Sequence, residues 1–159
     1  MMNKDTSAIA LVLVTLLLLF IALQPILPAN NEKFSELGIL GPNQTISNYP
    51  TTVVKGQTIS LYGYVGNHEG QVEFYKVVVK LGNNATVVSN STAANAPEMA
   101  SYSHILENNQ SWTFPVSLMV ETPGTNLRII FELWALNSTT SDYSYLGLWN
   151  QLWLNVTAK

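Results

Sequence analysis

From Phe34 onward apolar residues recur at every second position, a period that admits strands rather than helices. Ile59, Leu61, Gly63 and Val65 share one face of such a strand, while Ser60, Tyr62 and Tyr64 take the other. Tyr75, Val77, Val79 and Leu81 repeat the pattern, with Lys76 and Lys80 pointing away. Trp112, Phe114, Val116, Leu118 and Val120 alternate likewise, as do Leu127, Ile129, Phe131, Leu133 and Ala135 against Arg128 and Glu132. The last run alternates Leu146, Leu148, Asn150, Leu152, Leu154 and Val156. Turn formers separate the runs, among them Gly41-Pro42-Asn43, Lys55-Gly56-Gln57, Gly82-Asn83-Asn84, Asn108-Asn109 and Pro123-Gly124. Half-buried strands at this spacing predict a mainly β chain, an antiparallel sandwich of about seven or eight strands. The polar stretch SNSTAANAP, residues 89–97, reads as a mobile loop.

The start of the chain obeys a different rule. Residues 8–23 read AIALVLVTLLLLFIAL, without charge and with Thr15 as the only polar side chain. Extended through Gln24-Pro25-Ile26-Leu27 the run reaches the ~20 residues that span ~30 Å of hydrocarbon as a helix. Pro25 and Pro28 end it, each lacking an N–H donor. Two readings compete, an uncleaved anchor and a cleaved secretory signal. The run is longer than the usual signal core, and Leu27 fills a position of PILPAN that a signal peptidase wants small. The anchor is therefore the preferred reading. It divides the chain into a cytoplasmic head (1–7), a transmembrane helix (8–28) and an extracytoplasmic sandwich (29–159).

Composition narrows the chemistry. The chain has 159 residues, no cysteine, 11% charged residues and a net charge of −3. Disulfides, thiolate metal sites and cysteine nucleophiles are excluded together. Arg128 is the only arginine, so no basic patch exists to neutralise phosphates, and nucleic acid is not an expected partner. Asn, Ser and Thr supply the polarity instead. N-x-S/T triplets begin at Asn43, Asn84, Asn90, Asn109, Asn137 and Asn155, all after the apolar run. Chance placement would give roughly three such triplets, so N-linked glycans and an outward-facing domain are expected.

Four motifs carry a resemblance. They are F-x-E-x-x-I-L-G-P from Phe34 to Pro42, N-Y-P-T from Asn48 to Thr51, V-x-x-G-Q from Val53 to Gln57, and N-H-E from Asn67 to Glu69. In these the chain resembles the archaeal DUF1616 family, a domain of unknown function. LRIIFELW and LWNQLWLNVT fit the family's closing strands more loosely. The resemblance implies an archaeal, membrane-anchored protein with an immunoglobulin-like outer domain, and it implies no activity.

Candidate sites are few. YVGNHEG, residues 64–70, holds one of the two histidines beside a glutamate. A zinc site needs three or four ligands, and His68 would need His104 from another strand plus a carboxylate. The simpler reading is a bend. Gly66 and Gly70 free the backbone, Asn67 bonds its own main chain two residues on, and His68 and Glu69 lie exposed or pair with a neighbouring loop. No G-x-S-x-G elbow is present, Asp142 is the only aspartate beyond the apolar run, and no glutamate spacing singles out a catalytic pair. An enzyme is not expected, nor a metal or cofactor. Trp134, Trp149 and Trp153, with Tyr62 and Tyr64, fall opposite the assigned core faces. They form a candidate interaction surface unless both faces of a central strand are covered. The expected function is a non-catalytic, single-pass surface glycoprotein, an accessory or scaffold subunit of a membrane or envelope assembly. A pilin-like filament subunit and a carbohydrate-binding module are the alternatives. Lys4-Asp5 is a poor match to the basic-then-small cut site that precedes a pilin helix.

Overall fold

A computed structural model of the chain describes residues 4–23 and 32–159, with helix side chains given for 11–21. The chain divides into two units, Met1–Glu32 and Lys33–Lys159.

The first unit is α1, Lys4–Leu23, a helix of 20 residues. It begins inside the stretch assigned above to a cytoplasmic head. Its described side chains are apolar except Thr15, whose hydroxyl donates to the Leu11 carbonyl (2.5 Å), the back-bond that lets a hydroxyl sit on an apolar helix. Among the described residues no helix is long and apolar enough to cross a membrane. The span expected over 8–28 draws on helix side chains and on residues 24–28 that lie outside that set.

The second unit holds eight strands, β1 (Phe34–Leu40), β2 (Thr52–Val54), β3 (Thr58–His68), β4 (Glu73–Asn83), β5 (Glu98–Leu106), β6 (Ser111–Met119), β7 (Gly124–Asn137) and β8 (Asp142–Thr157). They form two sheets, ordered β1-β3-β6 and β2-β8-β7-β4-β5. The predicted alternation locates the core. Ile59, Leu61, Val65, Phe114, Val116 and Leu118 from the smaller sheet meet Tyr75, Val77, Val79, Ile129, Phe131 and Leu133 from the larger, all buried. Each such side chain contributes about 1.5–3 kcal/mol through burial. Gly63 completes the β3 face because a Cβ there would overlap the Phe114 ring.

Three expectations need correction. The sandwich is not wholly antiparallel, since β2 pairs in parallel with β8 through Thr52–Asn155 to Val54–Thr157. The alternation along β8 buries only its end. Leu154 and Val156 are buried, whereas Leu148, Asn150 and Leu152 are half-buried and Leu146 is exposed. The reason is that β2 flanks β8 only at its last residues, leaving the earlier part as the sheet edge. There the register against β7 also shifts between Leu133 and Trp134, with Gly147 at φ +75°, a conformation that suits glycine. Finally, the segment expected to be a mobile loop is pinned across the outer face of the larger sheet, as described next.

Candidate functional site

The bend expected over 64–70 is shorter than that: residues 64–68 continue β3, where Gly66 pairs with Glu36 and Ser111 instead of freeing the backbone, and the chain bends only at 69–71. The bend is organised by Asn67, whose exposure is 0%. Its Nδ2 donates to the carbonyls of Gln71 (2.8 Å) and Leu106 (2.9 Å). Its Oδ1 accepts from the Glu69 N–H (3.0 Å), the bond to its own main chain two residues on, and from the Tyr75 hydroxyl (3.3 Å). Its main chain exchanges bonds with the β5–β6 turn, Asn67 N–H to the Gln110 carbonyl and Asn109 N–H to the Asn67 carbonyl. One carboxamide thus ties together the β3–β4 connection and the β5–β6 connection.

His68 and Glu69 diverge from this hub. The His68 ring stacks on Phe34 with centroids 4.6 Å apart, and its Nδ1 pairs with Asn109 Oδ1 at 3.1 Å. Its Nε2 lies 3.8 Å from Glu36 Oε2, which also accepts from Tyr64 (3.0 Å). Glu69 accepts instead from Ser35 Oγ (2.7 Å), which contacts the Tyr75 hydroxyl at 2.8 Å. Burial raises the Tyr75 pKa, with Glu69 and Glu73 adding to it against the Ser35 bond. Burial followed by Glu36 raises that of Tyr64. The second histidine, His104, stacks on Trp112 between β5 and β6. Among the described residues no group of three or more His, Cys, Asp or Glu could hold a metal ion.

The denser cluster of polar chemistry lies elsewhere, on the outer face of the larger sheet. Residues 84–97 cross this face as a strap between β4 and β5. Arg128 Nη1 donates to the Thr86 carbonyl, and the Tyr145 hydroxyl donates to the Ser89 carbonyl (2.8 Å). Farther along, Ala94 is held at both of its main-chain groups. Its N–H donates to Glu132 Oε1, and its carbonyl accepts from Lys80 Nζ (2.7 Å). Lys80 and Glu132 form an ion pair of 2.9 Å with side chains 14% and 0% exposed. Trp134 Nε1 donates to Glu132 Oε2 (3.3 Å), and its ring lies 5.8 Å from Lys80 Nζ. A charge buried this deeply is tolerated because both carboxylate oxygens and the ammonium have hydrogen-bond partners.

The strap also explains the aromatic residues. Trp134 and Trp149 are half-buried on the strap's side of the sheet, and Ile130 beside them is wholly buried. Trp153 remains 47% exposed, with the Arg128 guanidinium 5.1 Å from its ring centre. Arg128 Nε donates to Gln151 Oε1 at 2.6 Å. Tyr62 and Tyr64, half-buried, project from β3 in the smaller sheet. The five aromatics therefore do not form one surface but divide between opposite faces of the sandwich. Sequence reasoning missed Lys80, Glu132 and Ala94. The available signal was a charged pair, Arg128 and Glu132, inside the apolar run LRIIFEL in a chain poor in charge.

Burial followed by the Glu132 charge pushes the Tyr145 pKa up to about 12. A phenol whose folded pKa lies above its unfolded value of ~10 supports the fold below pH 10. That support is lost as pH rises from about 10 to about 12, where only the unfolded chain ionises readily. A Tyr145→Phe chain is expected to show a shallower loss of stability over this window in unfolding titrations at stepped pH. An unchanged alkaline slope would contradict the assignment.

All six N-x-S/T asparagines are exposed. Asn43, Asn84, Asn90, Asn109 and Asn137 lie in loops, turns or at a strand end, and Asn155 lies within β8.

Comparison with known proteins agrees with this architecture. The CARDB domain of PF1109 from Pyrococcus furiosus, solved in complex with di-metal ions, aligns with a TM-score of 0.50 and 12% identity. The alignment covers 79% of this chain and 89% of that one. A chain from the complex of Zinc 2-glycoprotein and Prolactin inducible protein from human seminal plasma aligns with a TM-score of 0.49 and 10% identity, over 81% of this chain and 99% of that one. A beta-glucosidase from Listeria innocua aligns with a TM-score of 0.47 and 13% identity, over 80% of this chain but 16% of that one. At 12% identity the likeness to the CARDB domain concerns the fold alone, an immunoglobulin-like sandwich. No curated protein sequence matches the chain. The family model described as Domain of unknown function (DUF1616) matches residues 28–151, and the chain belongs to that family.

Proposed function

We propose that the protein is a single-pass surface glycoprotein, anchored by α1 with the Lys33–Lys159 domain outside the cell membrane. Its role is non-catalytic, as an accessory or scaffold subunit that presents a folded face to another membrane or envelope protein. The observation that most supports this is the helix surface. Every large apolar side chain described, from Leu11 to Ile21, is more than half exposed, on all sides of the helix. A helix apolar all round requires an apolar surround. Within it the uncharged run 8–23 rises ~24 Å, most of the ~30 Å of a bilayer core. A non-catalytic role also fits a domain whose buried polar groups, Asn67 and the Lys80–Glu132 pair, hold its own loops.

The test is extraction of native membranes, first with alkaline carbonate and then with mild detergent, followed by identification of copurifying proteins. The expected result is a chain retained in the carbonate pellet and recovered in fixed ratio with another protein. Release by carbonate would overturn the anchor. Self-association with the first residues removed would favour a filament subunit. A lone chain that binds envelope glycans and loses them on Trp153→Ala would favour a carbohydrate-binding module.

A further inference from the structure

We propose that N-glycan transfer uses Asn43, Asn84, Asn90 and Asn137 and bypasses Asn109 and Asn155. This rests on the outer-surface reading above and narrows it to individual sites. Exposure does not separate the six, because all are exposed. What separates them is how each triplet is bonded.

The chemistry sets the requirement. Transfer joins Asn Nδ2 to the anomeric carbon of a sugar. The bond from that carbon to the phosphate of a lipid-linked oligosaccharide breaks, the phosphate leaves with the electron pair, and the amide gives up one proton. The transferase must draw the Asn-x-Ser/Thr backbone into its own cleft and read the hydroxyl. On a folded domain, a triplet meets that requirement when its amide and hydroxyl bonds are local, so that at most a carbonyl has to be released from the sheet.

Four triplets meet it. Around Asn43 the bonds join Gly41, Gln44, Thr45 and Ser47 to one another. Thr86, the hydroxyl of the Asn84 triplet, bonds Asn83 on the same turn, and beyond that turn only the Thr86 carbonyl is held, by Arg128. Around Asn90 the main-chain bonds run between Ser89 and Thr92, and beyond them only a carbonyl, that of Ser89, is held by the sheet. Asn137 Oδ1 accepts from the N–H groups of Thr139 and Thr140, a local turn that leaves its Nδ2 free.

Two triplets fail it. Asn155 lies in a strand paired on both sides, and its N–H donates to the Thr51 carbonyl. Its Oδ1 accepts from the Asn126 N–H (2.9 Å), and its triplet hydroxyl, Thr157, donates to the Val53 carbonyl. Lifting it would strip β2 and uncover Leu154 and Val156, both buried. Asn109 is part of the Asn67 hub. It sits at φ +63°, its N–H donates to the Asn67 carbonyl (2.7 Å), and its Oδ1 pairs with His68. The next residue, Gln110, accepts from the Asn67 N–H.

Intact-glycopeptide mass spectrometry of the full-length protein purified from native membranes tests this. Sugar mass is expected at Asn43, Asn84, Asn90 and Asn137, with Asn109 and Asn155 unmodified. A chain carrying Asn→Gln at those four positions is expected to have the mass of the bare polypeptide. Sugar at Asn109 or Asn155, or none at the four, overturns the proposal. Bare asparagines on a carbonate-resistant membrane protein would do so while leaving the anchor intact, whereas a carbonate-released chain would remove the reading on which both depend.

Discussion

Asn67→Ala is expected to lower the stability of the Lys33–Lys159 domain by about 3 kcal/mol, and His68→Ala by less than about 1 kcal/mol. The two side chains are adjacent in sequence and differ in burial. Truncating Asn67 strands the Leu106 and Gln71 carbonyls, the Glu69 N–H and one bond of the Tyr75 hydroxyl. A buried polar group left without a partner costs about 1–3 kcal/mol, and water entering the gap recovers part of the sum. Removing the partly exposed His68 ring loses one bond to Asn109, which solvent can replace, and a stack on Phe34. Thermal unfolding of the full chain in mild detergent, followed by near-ultraviolet circular dichroism, reads the difference. For a domain of this size the Asn67 variant should melt about 10 °C lower. Equal effects would sink the idea that this bend is an architectural joint. A destabilised His68 variant beside a normal Asn67 variant would redirect attention to His68 and Glu36.

The bend was legible only in part. The Asn67 carboxamide bonding two residues on and Gly70 at φ +79° are local signals, but Gly66 lies in the paired strand, and the bonds from Asn67 to Leu106, Asn109 and Gln110 come from distant parts of the chain. The core faces of β3, β4, β6 and β7 were legible for a related reason. Side chains alternate strictly along a strand, so one buried residue assigns its neighbours. The strap was not legible because no periodicity marks it. Residues 84–97 are mostly Asn, Ser, Thr and Ala, and they are held by main-chain groups, which every residue carries equally. What revealed the strap was the other partner in each bond, Lys80, Arg128, Glu132 and Tyr145. Period-two reasoning placed Lys80, Arg128 and Glu132 correctly on the outer face but equated that face with solvent. The same omission made one surface of Tyr62, Tyr64, Trp134, Trp149 and Trp153, although sheet membership separates them.

Glu132→Ala is expected to cost about 3–5 kcal/mol, the range for leaving one member of a buried ion pair without its partner. Three bonds end at this carboxylate, from Lys80, Trp134 and the Ala94 N–H. Its loss leaves an ammonium under the strap with the Ala94 carbonyl as its remaining partner. The chain then opens the strap to hydrate the charge or unfolds more readily as a whole. Hydrogen exchange separates these outcomes. Faster exchange confined to residues 86–97 marks opening of the strap, and faster exchange across β4 and β7 marks loss of the sandwich. A second comparison tests the ion pair itself. Replacing both members, Lys80→Met with Glu132→Met, removes the stranded charge, and such apolar replacements of buried pairs are often close to neutral. The double variant should therefore be more stable than Glu132→Ala despite carrying one more substitution. If it is less stable, the clamp on Ala94 rather than the charge balance dominates, because the double variant loses both bonds that hold this residue. Either result fixes how the strap is held down, and with it whether Trp134 and Trp149 can be reached by any partner without first displacing the protein's own chain.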